Sequence, residues 1–272
     1  MLLNDRIAIC FSGQSRCVVE NSESILRYIG DYRDRVDIFI HTWNIETESR
    51  YSEKNHNRPG IEKIRRNVDP EIFKKLAAIY RPLDMRVDNF DTFQILHHYR
   101  AYSRRLAPLI YNKPTQIPMF QSILESNQLK LSHETLCGSK YKMVMRMRTD
   151  LNFDPNTYQR TLKEDIDFSK DDTFYVFDWW NKLSLESKSV EDMCWLSNSQ
   201  LMDIVCSKFS IELETKIWPD DGPADWQYRL YLFLVQNGIK VSPFKNNVGT
   251  LMRSEFVTDS EYASFISSTS PQ

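Results

Sequence analysis

Apolar residues in this chain fall into short unbroken runs that alternate with stretches of helical spacing. Arg6–Phe11 (RIAICF) is such a run, stopped by Ser12-Gly13-Gln14-Ser15. Continuous apolarity bounded by a turn signal predicts a strand buried on both faces. Cys17–Ile29 then places apolar residues at helical spacing and meets a helix-stopping residue at Gly30. Val36–His41 (VDIFIH) repeats the buried-strand pattern. Strand, helix and strand within about 40 residues form a βαβ unit, which predicts a parallel sheet with right-handed crossovers.

Further along, Glu46–Pro59 is polar and reads as a mobile loop. Asp69-Pro70 opens a helix to Tyr80, with proline at the first-turn position where its missing N–H is harmless. Met85–Val87 is a third strand candidate, Gln94–Tyr111 a helix candidate, and Ile117–Leu131 an amphipathic helix with Phe120 and Ile123 on its stripe. Tyr141–Met147 and Phe174–Phe177 read as strands. Ser197 or Asn198 would cap a helix over Gln200–Phe209. A last helix, Ala224–Asn237, ends at Gly238 before a short strand at Ile239–Val241. No repeat or linker divides the chain. The pattern predicts one α/β domain over residues 1–262, with a Ser-rich, disordered tail over 263–272.

The charge balance narrows the partners. With 35 Lys+Arg against 37 Asp+Glu, the chain lacks the basic excess of a nucleic-acid-binding domain. No window approaches the ~18 uninterrupted apolar residues of a membrane span. The apolar run near the N-terminus is too short for a signal peptide. Five cysteines, at 10, 17, 137, 194 and 206, form an odd set without a CxxC pair. They read as reduced thiols in a soluble, cytoplasmic protein.

Four groups of residues could carry chemistry. Phe11-Ser12-Gly13-Gln14-Ser15-Arg16 follows the first strand, where open α/β sheets bind ligands and helix N-termini attract phosphate. Gly13 permits close approach and Arg16 offers a guanidinium fork, although a plain tight turn explains the segment as well. GxGxxG and GxxxxGK[ST] are both missing from it, which disfavours a dehydrogenase or a P-loop kinase. Val144–Asp150 places Arg146, Arg148 and Asp150 on one face of an extended segment and Met145 and Met147 on the other. Such charges are costly to bury unless they meet one another or a charged ligand. His41 and Trp43 close the second strand, suited either to stacking on a sugar or base or to core packing. Acids stand beside aromatics at Asp192…Trp195 and at Trp218…Asp221…Asp225-Trp226. Indole faces and carboxylates of this kind serve a carbohydrate acceptor, and carboxylates before helices also serve as caps.

In order along residues 6–242, CFSGQSR, VDIFIHTW, a MFQSI helix with the later Glu134, YKMVMRMRTDLNF, EDMCWLSNSQLMDIV and NGIKV resemble a family of glycosyltransferase-like proteins. These occur in bacterial polysaccharide-synthesis clusters and in large viruses. The resemblance implies a GT-A-like, Rossmann-like fold with a nucleotide-sugar at the strand ends. It implies transfer of the sugar to a carbohydrate acceptor. Phe11, Ser12, Gly13, Gln14, Arg16, His41, Trp43, Arg146, Arg148 and Asp150 would then line the donor site. Arg148-Thr149-Asp150 stands where such enzymes carry Asp-x-Asp, so Asp150 would be the ligand of an Mn²⁺ or Mg²⁺ ion, with Arg148 in place of the first acid. Asp192, Asp221 and Asp225 are the candidate catalytic bases. Two rival readings are a non-catalytic nucleotide- or glycan-binding module of the same fold and a nucleotidyltransferase.

Overall fold

A computed structural model describes residues 3–52, 60–103, 116–153, 161–162, 172–177, 190, 192–210, 226–243 and 250–251. Its frame is one seven-stranded sheet. β1 (Ile7–Gln14) and β2 (Val36–Trp43) flank α1 (Ser22–Ile29) in the chain. β3 (Ile45–Ser52) and β4 (Gly60–Asn67) follow, then α2 (Pro70–Tyr80), β5 (Asp84–Asp88) and α3 (Phe90–Ser103). α4 (Gln116–Cys137) leads into β6 (Met143–Arg148), and β7 (Leu151–Asn152), β8 (Thr173–Val176) and β9 (Cys194–Ser197) come after it. α5 (Ser199–Asp203) runs into a π-helical turn at Ile204–Phe209; α6 (Trp226–Gln236), β10 (Lys240–Pro243) and β11 (Thr250–Leu251) complete the set.

Across the sheet the order is β5-β2-β1-β6-β9-β8-β10. All neighbours are parallel except at β9, which runs against both β6 and β8. This mostly parallel, helix-flanked sheet is the expected Rossmann-like α/β class. The strand order reverses direction between β1 and β6: the chain moves outward from β1 to β2 and β5, then returns to β1's other side. Ligands of open α/β sheets bind at this switch point, beyond the carboxyl ends of the strands.

Alternation along the strands explains the two cores. Ile7, Ile9 and Phe11 of β1, with Met143, Met145 and Met147 of β6, face α1 and α2. Ala8 and Cys10, with Val144, face α4, the π-helical turn and α6. The second layer also takes in polar groups. α4 buries Ser122, Ser126, Lys130 and Glu134, each four residues from the last and so on one helical face. Lys130 Nζ donates to Glu134 at 3.0 Å, Ser199 at 2.7 Å and Asp203 at 2.6 Å, so this buried ammonium is fully partnered. An amphipathic reading of α4 finds Phe120 and Ile123 but not this polar stripe.

Several boundaries follow from visible chemistry. Asp69 Oδ1 accepts the Glu71 N–H at 3.0 Å and caps α2, and Asn198 Oδ1 accepts the Leu201 N–H at 2.8 Å and caps α5. Three expectations need correction. Glu46–Pro59 is not all loop, because β3 pairs antiparallel with β4 from Ile45↔Asn67 to Ser52↔Gly60. Cys17–Ile29 is helical only from Ser22. Cys194–Ser197, where the pattern predicts no strand, is a strand of the sheet. Residues 263–272 lie outside the described residues. Among those described, no helix is long and apolar enough to cross a membrane.

Candidate functional site

The switch point brings the two sequence segments of interest side by side. β1 and β6 pair in register, with Cys10 opposite Arg146 and Ser12 opposite Arg148. Because both strands show the same face at these positions, Ser12, Arg146 and Arg148 belong to one side of the sheet, as the period of two predicts. β9 lies on the other flank of β6 and sets Trp195 opposite Arg146.

Arg146 is buried and tightly held. Its Nε donates to Ser12 Oγ at 2.7 Å, its Nη1 donates to the Asp192 carbonyl, and its guanidinium sits 4.9 Å over the Trp195 ring. Among the described residues Nη2 has no hydrogen-bond partner. Burial lowers its pKa to about 10, partly offset by the Asp192 charge, so it stays cationic at neutral pH. This geometry corrects the expectation that Arg146, Ser12 and Trp195 meet a ligand directly. Arg146 instead ties β1, β6 and the strand approach at Asp192 together from below.

Arg148 stands nearer the rim. Nε and Nη2 donate to the two oxygens of Asp150 at 2.8 and 2.7 Å, a bidentate fork. Nη1 reaches the two oxygens of Asp192 at 3.1 and 3.3 Å. Its backbone N–H donates to the Met193 carbonyl at 2.9 Å. The Arg148 side chain keeps 18% of its surface exposed, against 4% for Asp150 and 11% for Asp192. Arg148 is therefore the most exposed of the three side chains, and both acids are largely buried. Burial works to lower the Arg148 pKa, but the charges of Asp192 and Asp150 outweigh it and the pKa lies above its ordinary value.

The end of β1 meets this cluster through backbone. Thr149 Oγ1 donates to the Gln14 carbonyl. Gly13, half-buried, has φ of 126°, a conformation open to glycine and strained for other residues. Its N–H donates to Ser122 Oγ at 2.7 Å. Gln14 and Arg16 are half-buried. Phe11 does not join them, since its ring packs 5.1 Å from Tyr80 inside the core.

His41 and Trp43 are also interior groups. His41 is fully buried, with Nδ1 2.8 Å from Ser122 Oγ and Nε2 3.2 Å from Asp88 Oδ2. Asp88 is held at a pKa of about 2, first by the His41 hydrogen bond and then by Arg86, against the opposing effect of burial. Trp43 meets Phe90 edge-on at 5.4 Å and Phe93 at 4.9 Å. Both side chains brace β2 and leave no face for a sugar. Ser122 and Asp88 complete this brace, and neither carries a signal in the sequence: one is a serine within a helix, the other the end of a short strand. Asp221 and Asp225 lie outside the described residues.

The donor set does not suit a divalent ion. Both Asp150 oxygens and both Asp192 oxygens already face one guanidinium. Among the described residues no group of three or more His, Cys, Asp and Glu side chains could hold a metal.

No family model matches the sequence, and no curated protein matches it either. Among solved structures, a glycosyltransferase involved in the glycosylation of the major capsid of PBCV-1 is similar over 88% of this chain and 81% of its own, with 11% identity and a TM-score of 0.38. Nothing about this chain's chemistry follows from a likeness at that level.

Proposed function

We propose that this protein is a glycosyltransferase that moves a sugar from a nucleoside-diphosphate donor to a carbohydrate hydroxyl at the β1–β6 rim. The observation that carries the reading is the Arg148 guanidinium, fixed between Asp150 and Asp192 at the switch point in a side chain that keeps 18% of its surface exposed. The sequence resemblance along residues 6–242 points the same way.

In this reading Arg148 receives the diphosphate. Its hold on Asp150 is short and forked, whereas its contacts to Asp192 are longer. An incoming phosphate therefore displaces Asp192 and leaves the Arg148–Asp150 pair intact. The freed Asp192 carboxylate serves as base, and Arg146 holds its backbone in place. The acceptor oxygen bonds to the anomeric carbon, the bond from that carbon to the diphosphate oxygen breaks, and the hydroxyl proton passes to Asp192. Charge gathers on the leaving diphosphate beside Arg148, where a preorganised cation lowers the barrier. Asp150 holds the guanidinium and faces the donor sugar.

Calorimetry with UDP-, GDP- and TDP-sugars, paired with a donor-hydrolysis assay, tests the reading. One donor class is expected to bind and to be hydrolysed slowly without an acceptor. Binding with no turnover under any condition would leave a nucleotide-binding module, and no binding at all would remove the donor site.

A further inference from the structure

We infer that Arg148 is the resident cation of this centre, filling the position between Asp150 and Asp192 that a divalent ion would need, so that the diphosphate is received without metal. The inference rests on the proposed transfer reading for its ligand, but its metal half stands on the cluster alone.

Coordination chemistry supports it. A Mg²⁺ ion takes oxygen ligands at about 2.0–2.1 Å in near-octahedral array and draws on carboxylate charge. Here the four carboxylate oxygens converge instead on three nitrogens of one planar group, at 2.7 to 3.3 Å. A metal entering that space would have to displace a guanidinium that is already fork-bonded. The local charge leaves little attraction for it. Among the described residues, the two carboxylates and Arg148 sum to one negative charge, and Arg146 cancels it. Arginine also suits the task where lysine does not, because a single planar group can grip one carboxylate bidentately and still reach a second. The tether from Thr149 to the Gln14 carbonyl fixes the turn between Arg148 and Asp150, so the cation is preorganised.

Mn²⁺ titration of the intact chain, followed by electron paramagnetic resonance with and without UDP, tests this directly. The wild type is expected to capture no Mn²⁺ beyond what UDP itself binds, and its UDP affinity is expected to change less than about twofold when EDTA replaces Mn²⁺. Arg148→Ala, which frees both carboxylates, is expected to gain Mn²⁺ binding that Asp150→Asn added to it removes. Stoichiometric Mn²⁺ capture by the wild type, abolished by Asp150→Asn, would overturn the inference, and this arm needs no Arg148 variant to fold. If UDP and its sugars do not bind at all, the transfer reading fails, while the metal titration without nucleotide still decides the question of the resident cation.

Discussion

Arg148 and Asp150, two positions apart, close a two-point fork at 2.8 and 2.7 Å across the end of β6. Thr149 between them turns the other way and anchors to Gln14, so the fork is built by the strand's own alternation and by its neighbour β1. The pair is the fixed half of the proposed centre, and Asp192 is the exchangeable half.

Asp150→Asn keeps the shape and removes the charge. Losing a charge-assisted fork is expected to weaken donor binding roughly 10- to 100-fold. Asp150→Ala is expected to abolish transfer while circular dichroism shows a folded chain. Normal turnover by a folded Asp150→Ala variant would take this residue out of the mechanism.

Arg146→Met tests the brace beneath the site. It leaves Ser12 Oγ and the Asp192 carbonyl buried without their donor, at a cost of about 1–3 kcal/mol for an unsatisfied buried polar group. Urea unfolding should show at least that loss. A variant as stable as the wild type would mean that Arg146 contributes nothing to holding β6 and the Asp192 segment together.

Gly13→Ala isolates backbone conformation from space. The nearest atom to an added Cβ is Thr149 Oγ1 at 3.8 Å, an ordinary contact, whereas φ of 126° is strained for alanine. The expected destabilisation is about 1–3 kcal/mol. An unchanged midpoint on thermal melting would show that the turn accepts an L-residue at this position.

Asp88 gives the fold an acid limit. Its pKa falls from 3.8 to about 2, with the His41 hydrogen bond the largest cause. A carboxyl whose pKa is depressed on folding adds stability that is fully present above its unfolded value and is lost as pH falls through its folded value. The contribution should hold above about pH 4 and vanish as the pH drops to about 2. Asp88→Asn should lower the melting temperature at neutral pH and flatten its decline over that window. An identical acid slope in wild type and variant would rule the pair out as the source.

Much of this architecture is legible in residue order. β1, β2 and β6 read as strands because they are buried on both faces and lose polar positions, and α2 declares itself through Asp69-Pro70. Alternation alone places Arg146 and Arg148 opposite Met145 and Met147. What alternation does not reveal is depth. Arg146, His41 and Trp43 look like rim chemistry in one dimension, yet neighbouring β9, α4 and α3 enclose them. β9 is not legible because its four residues, Cys194–Ser197, are too short a run to show alternation, and the β3–β4 ribbon because its pairing is a long-range fact about two polar segments. Ser122 contributes to the rim through a hydroxyl whose partners lie 109 and 81 positions away.

The most direct measurement is calorimetric titration of UDP, GDP and TDP into wild type and Arg148→Gln in EDTA, with melting curves confirming that both are folded. At least one nucleotide is expected to bind the wild type and to lose roughly 10- to 100-fold in affinity in the variant, the scale of a lost charge-assisted contact. Equal affinity in the two proteins would contradict a diphosphate held by Arg148.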